Sequence, residues 1–428
     1  MISSFRIRNF KSYRDATLPL APLTLLIGAN ASGKSNAIEA IRLLSMLSDG
    51  RRLEDVLSEV QSSDDLIRGT SADLPHERGE PIVLGCELAS AGWNRLEIGI
   101  RLNGHGVMLD SETVSSAQGV DFYHLSDTSS PHDDFRLVIP YASDRRPWVT
   151  VVSNRQAVFP RLEALASTSE GLIQEVADVG RSFRTNLEKV AFFDPQPRRM
   201  RGYSHEGELV LKEDGSNLSA VLYERCSWPG QELAVLDFVS ELPEQPFVGI
   251  KFIRTSRGDL MVRLTESYGG REEGRDAPVL SDGTLRVLGI AAALFSAEEG
   301  STIIIEEIDS GVHPSRAETL LRKIERVARD RQLRVLLTTH NPALLDRLPT
   351  DAVPHVVCAY RDPQHGDSRL VRLEDLPAYP ELVARGPLGQ LMTRGVLDYF
   401  VKHQETSQEK KERSLRWLET LKAQVGDA

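Results

Sequence analysis

Gly28-Ala29-Asn30-Ala31-Ser32-Gly33-Lys34-Ser35 is the stretch that decides the fold; it fits the pattern G-x-x-x-x-G-K-[ST]. An apolar, strand-like run (Leu23, Thr24, Leu25, Leu26, Ile27) precedes it. A helix-like segment from Asn36 to Met46 follows, with apolar residues at Ile38, Ile41, Leu43 and Leu44. Strand, glycine-rich loop and helix in that order form a phosphate cradle. The glycines let the backbone curl so that successive N–H groups converge on one anion. The helix N-terminus adds its partial positive charge. Gly28, Asn30, Ala31, Ser32, Gly33 and Asn36 are therefore candidate binding positions. Lys34 reaches the β- and γ-phosphates of a nucleoside triphosphate such as ATP, and the Ser35 hydroxyl holds Mg²⁺. A glycine-rich turn that binds nothing is the plain alternative, and the flanking elements speak against it.

The chain has 428 residues, enough for two or three domains or lobes. Hydrophobic residues make up 40% and charged residues 26%, the balance of a soluble globular protein. A net charge of −11 excludes a whole-molecule basic field, so any DNA contact needs a local patch. Cys86, Cys226 and Cys358 lie far apart and form no metal spacing, which suits a reducing cytoplasm. Met1 to Arg14 carries charges early and does not read as a signal peptide. The longest apolar runs, such as Leu288 to Phe295, are too short for a membrane span.

Working outward from the loop, Phe5, Ile7 and Phe10 suggest an opening strand, Ser12 to Asp15 a turn, and Leu18 to Ile27 a second strand. Pro81 to Leu109 alternates as an antiparallel meander. Asp110 to Asp134 is Ser/Asp-rich and reads as a long loop; Phe135 to Phe159 returns to strands. Arg161 to Val190 has helical periodicity, and Asn217 to Cys226 and Gln231 to Leu242 read as two further helices. Phe247 to Phe252 and Leu260 to Thr265 read as strands, and Tyr268 to Ala277 as a mobile, charge-rich segment. From Leu280 the chain runs helix, strand, helix, strand. There is no internal repeat and no long heptad run.

A second constellation lies far downstream. Ile303, Ile304 and Ile305 are continuous and β-branched, as in a strand covered on both faces. Glu306 and Glu307 stand at its C-terminal end, where open α/β sheets bind ligands. Beside a P-loop, one acid completes a Mg²⁺ shell and the next orients or deprotonates water. Leu280-Ser281-Asp282-Gly283-Thr284-Leu285 opens an amphipathic helix with Ser281 as its N-cap, a position that also suits an anion. Leu333 to Thr338 leads into Thr339-His340-Asn341-Pro342, and a histidine there can donate to a γ-phosphate. Taken alone, Ser281 is the cap of a core helix and His340 a loop histidine. Their company changes the reading.

Together these segments resemble ABC-type ATPases. Ser281-Asp282-Gly283 is similar to the signature motif, Glu306-Glu307 to the Walker B end and catalytic glutamate, and Asp309-Ser310-Gly311-Val312-His313-Pro314 to the D-loop. His340 is similar to the switch histidine. Ile7-Arg8-Asn9-Phe10-Lys11-Ser12-Tyr13 resembles the start of SMC and RecF proteins. The combination points more narrowly to stand-alone bacterial ATPases of the overcoming-lysogenization-defect (OLD) group, which often serve with nuclease partners in anti-phage defence. The resemblance is firm over residues 1–48 and 278–345.

It implies an α/β P-loop fold of ABC-ATPase type with a mixed central sheet, an antiparallel β subdomain and a helical insertion. It implies ATP and Mg²⁺, with Ser35 and Glu306 toward the metal. Lys34, Glu307 and His340 are the catalytic set, and Ser281, Gly283 and Asp309 touch nucleotide. Two copies would sandwich two ATPs, giving a homodimer or higher even oligomer. The expected organisation is 1–48 as the N-terminal half of the head, 49–160 as a β-rich subdomain, and 161–277 as an insertion lobe. Residues 278–360 form the C-terminal half of the head and 361–428 a tail with an amphipathic helix over Gln408 to Val425.

Three features depart from the pattern. Glu306 stands where the Walker B aspartate is usual. Asp282 replaces the signature's first glycine, so it is expected to point away while Ser281 and the Gly283 N–H bind. The Q-loop glutamine is not assigned; Gln61 is a candidate. The long gap between Ser35 and Ser281 argues against a transporter subunit. Residues 343–428 hold no Asp-x-Asp, so they do not read as a metal nuclease, and a separate effector such as a nuclease is expected. Arg198, Arg199 and Arg201 could meet a phosphate backbone, an acidic partner, or only solvent. A DNA-repair ATPase that binds DNA ends is the second reading.

Overall fold

The computed structural model describes residues 1–62, 66–90, 92–103, 106–127, 134–140, 147–168, 174–240, 246–309 and 314–403. The chain opens with an antiparallel hairpin, β1 (Ile2–Phe10) and β2 (Tyr13–Pro19), in which Phe5 faces Leu18 and Ile7 faces Ala16. β3 (Leu23–Ile27) is buried at every position and ends at the P-loop; helix Lys34–Leu47 follows. Leu18 to Ile27 is thus not one strand but two: β2 ends at Pro19, still paired with Ser4, and β3 begins at Leu23, after Pro22, which has no N–H to give.

β4 (Ile82–Leu88) pairs antiparallel with β1. β5 (Trp93–Asn103), β6 (Gly106–Ser116), β7 (Asp121–Asp127), β8 (Asp134–Ile139) and β9 (Trp148–Ser153) extend the sheet as an antiparallel arm. This corrects the loop expected over Asp110 to Asp134. Ser111 is exposed, while Val114 on β6 and Tyr123 on β7 are fully buried, so the strands carry an inward apolar set among polar neighbours.

β10 (Val190–Phe193) forms the opposite edge of the sheet. β11 (Ser204–His205), β12 (Phe247–Arg254), β13 (Asp259–Tyr268) and β14 (Arg271–Asp276) form a separate small antiparallel sheet. β14 covers most of the segment expected to be mobile. Its charges are paired across strands, Arg263 with Asp276 at 2.5 Å and Arg275 with Glu266 at 3.3 Å.

β15 (Thr302–Ile305), β16 (Arg334–Thr339), β17 (Val356–Arg361) and β18 (Ser368–Arg372) complete the large sheet. Its order is β10-β15-β16-β3-β17-β18-β2-β1-β4-β5-β6-β7-β8-β9. The first five strands are parallel, and the pairing turns antiparallel at β17·β18. The mixed central sheet and antiparallel extension are those of the expected ABC-type fold.

Alternate residues of the parallel strands feed two cores. Leu25, Ile303, Ile305 and Leu337 pack under helices Leu218–Cys226, Asp282–Ser296 and Pro314–Asp330. Leu26, Ile304 and Leu336 pack on the other face with helix Lys34–Leu47. A period of two in a strand covered on both faces dictates this split. Part of the segment expected as a tail belongs to the head: β18 lies between β17 and β2, and helix Val396–Lys402 packs on the same core. Gln408 to Val425 lies outside the described residues. Among the described residues no helix is long and apolar enough to cross a membrane.

Candidate nucleotide-binding site

Parallel strands bring their C-terminal ends to one edge, and the chain's chemistry collects there. The P-loop leaves β3, Glu306 and Glu307 leave β15, His340 leaves β16, and Arg361 ends β17. Between them lies a cavity of about 580 Å³ lined by residues 30–36 of the loop, Glu306, Glu307, Thr338, Thr339 and His340, with Lys11, Arg68 and Arg361 also on its wall. Most of the sequence-predicted set therefore meets in one place.

The loop's shape is enforced from outside. Gly28 and Gly33 have φ of 153° and 114°, and Ala31 sits at 61°. A Cβ at Gly28 would lie 2.3 Å from the Ala359 carbonyl, and one at Gly33 2.5 Å from Ser368 Oγ, so glycine is required at both. Three loop carbonyls are held by distant donors: Ala31 O by Arg361 Nε (3.0 Å), Ser32 O by Ser368 Oγ (2.7 Å) and Gly33 O by Tyr13 OH (3.1 Å). In a planar trans peptide the next N–H points opposite its carbonyl. Anchoring the carbonyls outward thus turns the N–H groups toward the cavity.

Lys34 Nζ donates to its own loop's carbonyls, Gly28 O at 2.6 Å and Ala29 O at 3.1 Å. Burial lowers its pKa while the Glu307 charge opposes that shift. Ser35 sits in the first turn of the following helix and lines the same cavity.

Glu306 is pushed up to about 7, first by burial and then by the carboxylate of Asp194; Arg42 opposes the shift. Asp194 is itself raised, mainly by burial. The parallel register pairs Phe193 with Ile305, so Asp194 and Glu306 leave adjacent strands side by side. Arg42 donates to Glu213 at 2.8 Å and stacks over the Phe192 ring at 4.1 Å. The sequence reading missed Asp194, Glu213 and Arg42. Asp194 follows a short apolar strand as Glu306 does, and that was a usable signal.

Glu307 adopts φ 48°, a left-handed conformation uncommon for a glutamate. Its N–H donates to Thr338 Oγ1 at 3.0 Å, which fixes the kinked backbone against β16. Its side chain is exposed to the cavity. Such a kink at a site edge is where backbone strain accompanies function.

His340 is half exposed, with Nε2 4.0 Å from Asp309 Oδ2. Asp309 accepts a hydrogen bond from Thr339 Oγ1 at 2.6 Å and is not among the cavity's lining residues. Residues 310–313 of the D-loop-like stretch, and the Gln61 side chain, lie outside the described residues.

Ser281 and Gly283 do not line this cavity. Ser281 is the N-cap of helix Asp282–Ser296: its Oγ accepts from Thr284 N–H at 3.1 Å and lies 2.8 Å from Thr284 Oγ1. Asp282 turns to Arg201, with 2.8 Å between Oδ1 and Nη2.

Comparison with known proteins fits this geometry. Residues 1–84 match a family model described as an AAA ATPase domain. Residues 229–346 match one described as "AAA domain, putative AbiEii toxin, Type IV TA system". The first span holds the P-loop; the second holds the signature-like segment, Glu306, Glu307 and His340. The DNA replication and repair protein RecF of Cyanothece sp. (strain PCC 7425 / ATCC 29141) is 32% identical over 152 residues, 35% of this chain and 36% of the relative. RecF of Synechococcus sp. (strain JA-3-3Ab) is 31% identical over 142 residues, 33% of each chain. The chain thus spans about a third of the length of these curated relatives. A solved structure of the SMC head bound to the C-winged helix domain of ScpA aligns with a TM-score of 0.44 at 13% identity, covering 86% of this chain and 96% of that one. Two separate stretches of the chain thus match AAA-type ATPase family models, and about a third of it is similar to RecF at modest identity.

Proposed function

We propose that this protein binds and hydrolyses ATP with Mg²⁺ and uses the nucleotide to pair two copies of itself. The carrying observation is a division of labour within one chain. The P-loop, Glu306, Glu307 and His340 share a cavity, while Ser281 and Gly283 lie outside it. A triphosphate held by one copy therefore offers its outer face to the signature helix of another. The N-terminus of that helix supplies the donors the first copy lacks.

The oxygen donors Ser35 and Glu306 suit Mg²⁺, and the excess of carboxylates (Asp194, Glu213, Glu306, Glu307) is what a divalent cation offsets. The cation supplies charge neutralisation at the phosphates. Lys34 moves from its loop carbonyls onto the β- and γ-phosphates. Glu307 takes the proton of the attacking water as the bond from the γ-phosphorus to the bridging oxygen breaks. His340 donates to the γ-phosphate, and Asp309, held by Thr339, orients the ring. ATP then adds contacts across the pair and its hydrolysis removes them.

For output, we infer that the closed pair gates a separate effector, a nuclease or toxin, in anti-phage defence, as in the OLD group. The family model whose description includes a putative toxin supports it. A second reading, ATP-controlled binding of DNA ends, is favoured by the RecF relatives. Light scattering of the Glu307→Gln variant with and without ATP tests the switch: ATP should double the mass. An unchanged mass, or no phosphate release by the wild type, overturns the proposal. Salt-sensitive, ATP-stimulated DNA binding by the purified chain selects the second output; co-purification of a nuclease or toxin that the ATP-bound pair activates selects the first.

A further inference from the structure

We propose that Arg201 is a positioning residue that keeps the carboxylate of Asp282 away from the anion-binding end of helix Asp282–Ser296; this rests on the pairing proposed above. The problem it solves is visible in the chain. Asp282 sits between Ser281 and Gly283, the two positions expected to meet a triphosphate. An acid at the first turn of a helix is locally favourable, since it faces the positive end of the dipole. For an incoming polyanion the same acid is a repulsive charge.

The structure resolves that conflict by capture. Arg201 follows the short helix Pro197–Met200. Its Nη2 donates to Asp282 Oδ1 at 2.8 Å and to the Leu280 carbonyl at 2.9 Å, and Nε donates to the Pro278 carbonyl at 3.3 Å. One guanidinium thus holds the carboxylate and two carbonyls, those of Pro278 and Leu280, in the segment leading into Ser281. The planar fork of arginine presents these donors in one fixed geometry, which the compact ammonium of a lysine on its flexible stem does not. Of the three arginines at 198, 199 and 201, this one is committed to its own chain, and Arg199 lies 3.9 Å from Asp214.

The capture leaves Ser281 Oγ on Thr284 and the Gly283 backbone at the helix end without a carboxylate turned across them. Asp282 is 64% exposed and Arg201 29%. Such a pair contributes little to folding stability. Its consequence is for what approaches the helix end, and that is what the test reads.

The experiment uses the full chain carrying Glu307→Gln, with two readouts. A fluorescent ATP analogue reports binding to the single chain, and sedimentation reports ATP-driven pairing. Arg201→Ala should leave nucleotide affinity unchanged and weaken pairing by about tenfold, less so at high salt. Adding Asp282→Asn to Arg201→Ala should restore pairing, because the charge that needed capture is gone. Arg201→Lys should restore it in part.

A purely structural Arg201 predicts the reverse: the double variant would pair as poorly as Arg201→Ala. That result overturns the proposal, as does undiminished pairing by Arg201→Ala. If the Glu307→Gln chain binds the analogue but does not pair with ATP, the pairing reading fails first and takes this one with it. Circular dichroism identifies any variant that fails to fold; Asp282→Asn alone, expected to pair at least as tightly as its parent, then decides, and weaker pairing overturns the proposal.

Discussion

Glu306, at the end of the parallel half of the sheet, and Glu112, inside the antiparallel arm, are both pushed up to about 7. Burial is the first cause in each. The surroundings then diverge. Glu112 is 1% exposed. It accepts hydrogen bonds from Tyr123 OH, from Val158 N–H at 2.7 Å and from Phe159 N–H at 2.6 Å, all of which pull its pKa back down. Its own chain uses its oxygens. Glu306 is surrounded by like charges, Asp194, Glu213 and Glu307, and lines an open cavity. A raised pKa is thus the same symptom of two arrangements. In the arm it marks a polar staple that ties β6 to the turn before helix Leu162–Thr168; at the strand ends it marks a charge excess that a ligand can neutralise.

The largest expected effects fall on the cavity side. Lys34→Ala should abolish nucleotide binding, measured by titration with a fluorescent ATP analogue. Glu307→Gln should still bind ATP but hydrolyse it by order 10² more slowly or worse, read as phosphate release. Turnover at the wild-type rate would remove Glu307 from its role.

Stability should show the opposite ranking. Glu112→Leu strands two buried N–H groups and the Tyr123 hydroxyl, and should cost about 3 kcal/mol or more, read as loss of amide protection at Val158 and Phe159. Glu306→Gln removes one of four clustered acids and should leave thermal stability unchanged or slightly higher. Equal losses in the two variants would erase the distinction between staple and site.

The pH dependence sharpens it further. An acid whose pKa is higher folded than unfolded binds more protons when folded. Its contribution is therefore fully present below about 4.5 and falls as pH rises toward 7. For Glu112 the change across that window is about 3 kcal/mol at most, the shift expressed as free energy. Comparing the stability of wild type and Glu112→Gln from pH 4.5 to 7.5 isolates it. Glu306 contributes with the same sign in the free chain. Mg²⁺ and ATP should suppress the Glu306 part and leave the Glu112 part untouched.

The sequence exposed those parts of the site that are contiguous with their own structural signal. The P-loop announces itself between an apolar strand and a helix, and Glu306-Glu307 follow three isoleucines. Other parts depended on partners far along the chain. Arg361 and Ser368 hold loop carbonyls from 330 and 336 residues away, and nothing near either residue hints at it. The arm was misread where serine and aspartate alternate with few apolar residues, since outward polar positions dominate the composition of a half-exposed strand. Glu112 is the sharpest case: its backbone donors lie 46 and 47 residues downstream, so in the sequence it is only one more acid in a polar stretch.

The smallest expected effect concerns those remote clamps. Ser368→Ala and Tyr13→Phe each delete one donor to a P-loop carbonyl and leave the sheet intact. A net hydrogen bond contributes about 1 kcal/mol, so each should raise the dissociation constant for ATP by about fivefold. The two donors hold neighbouring carbonyls, Ser32 O and Gly33 O, of one loop. Their effects should therefore not add: once one carbonyl swings inward, the second clamp holds a loop already out of shape. Strict additivity would mean that the carbonyls are held by the loop's own glycine conformations. The outward anchoring from β18 and β2 would then have no part in presenting the N–H groups.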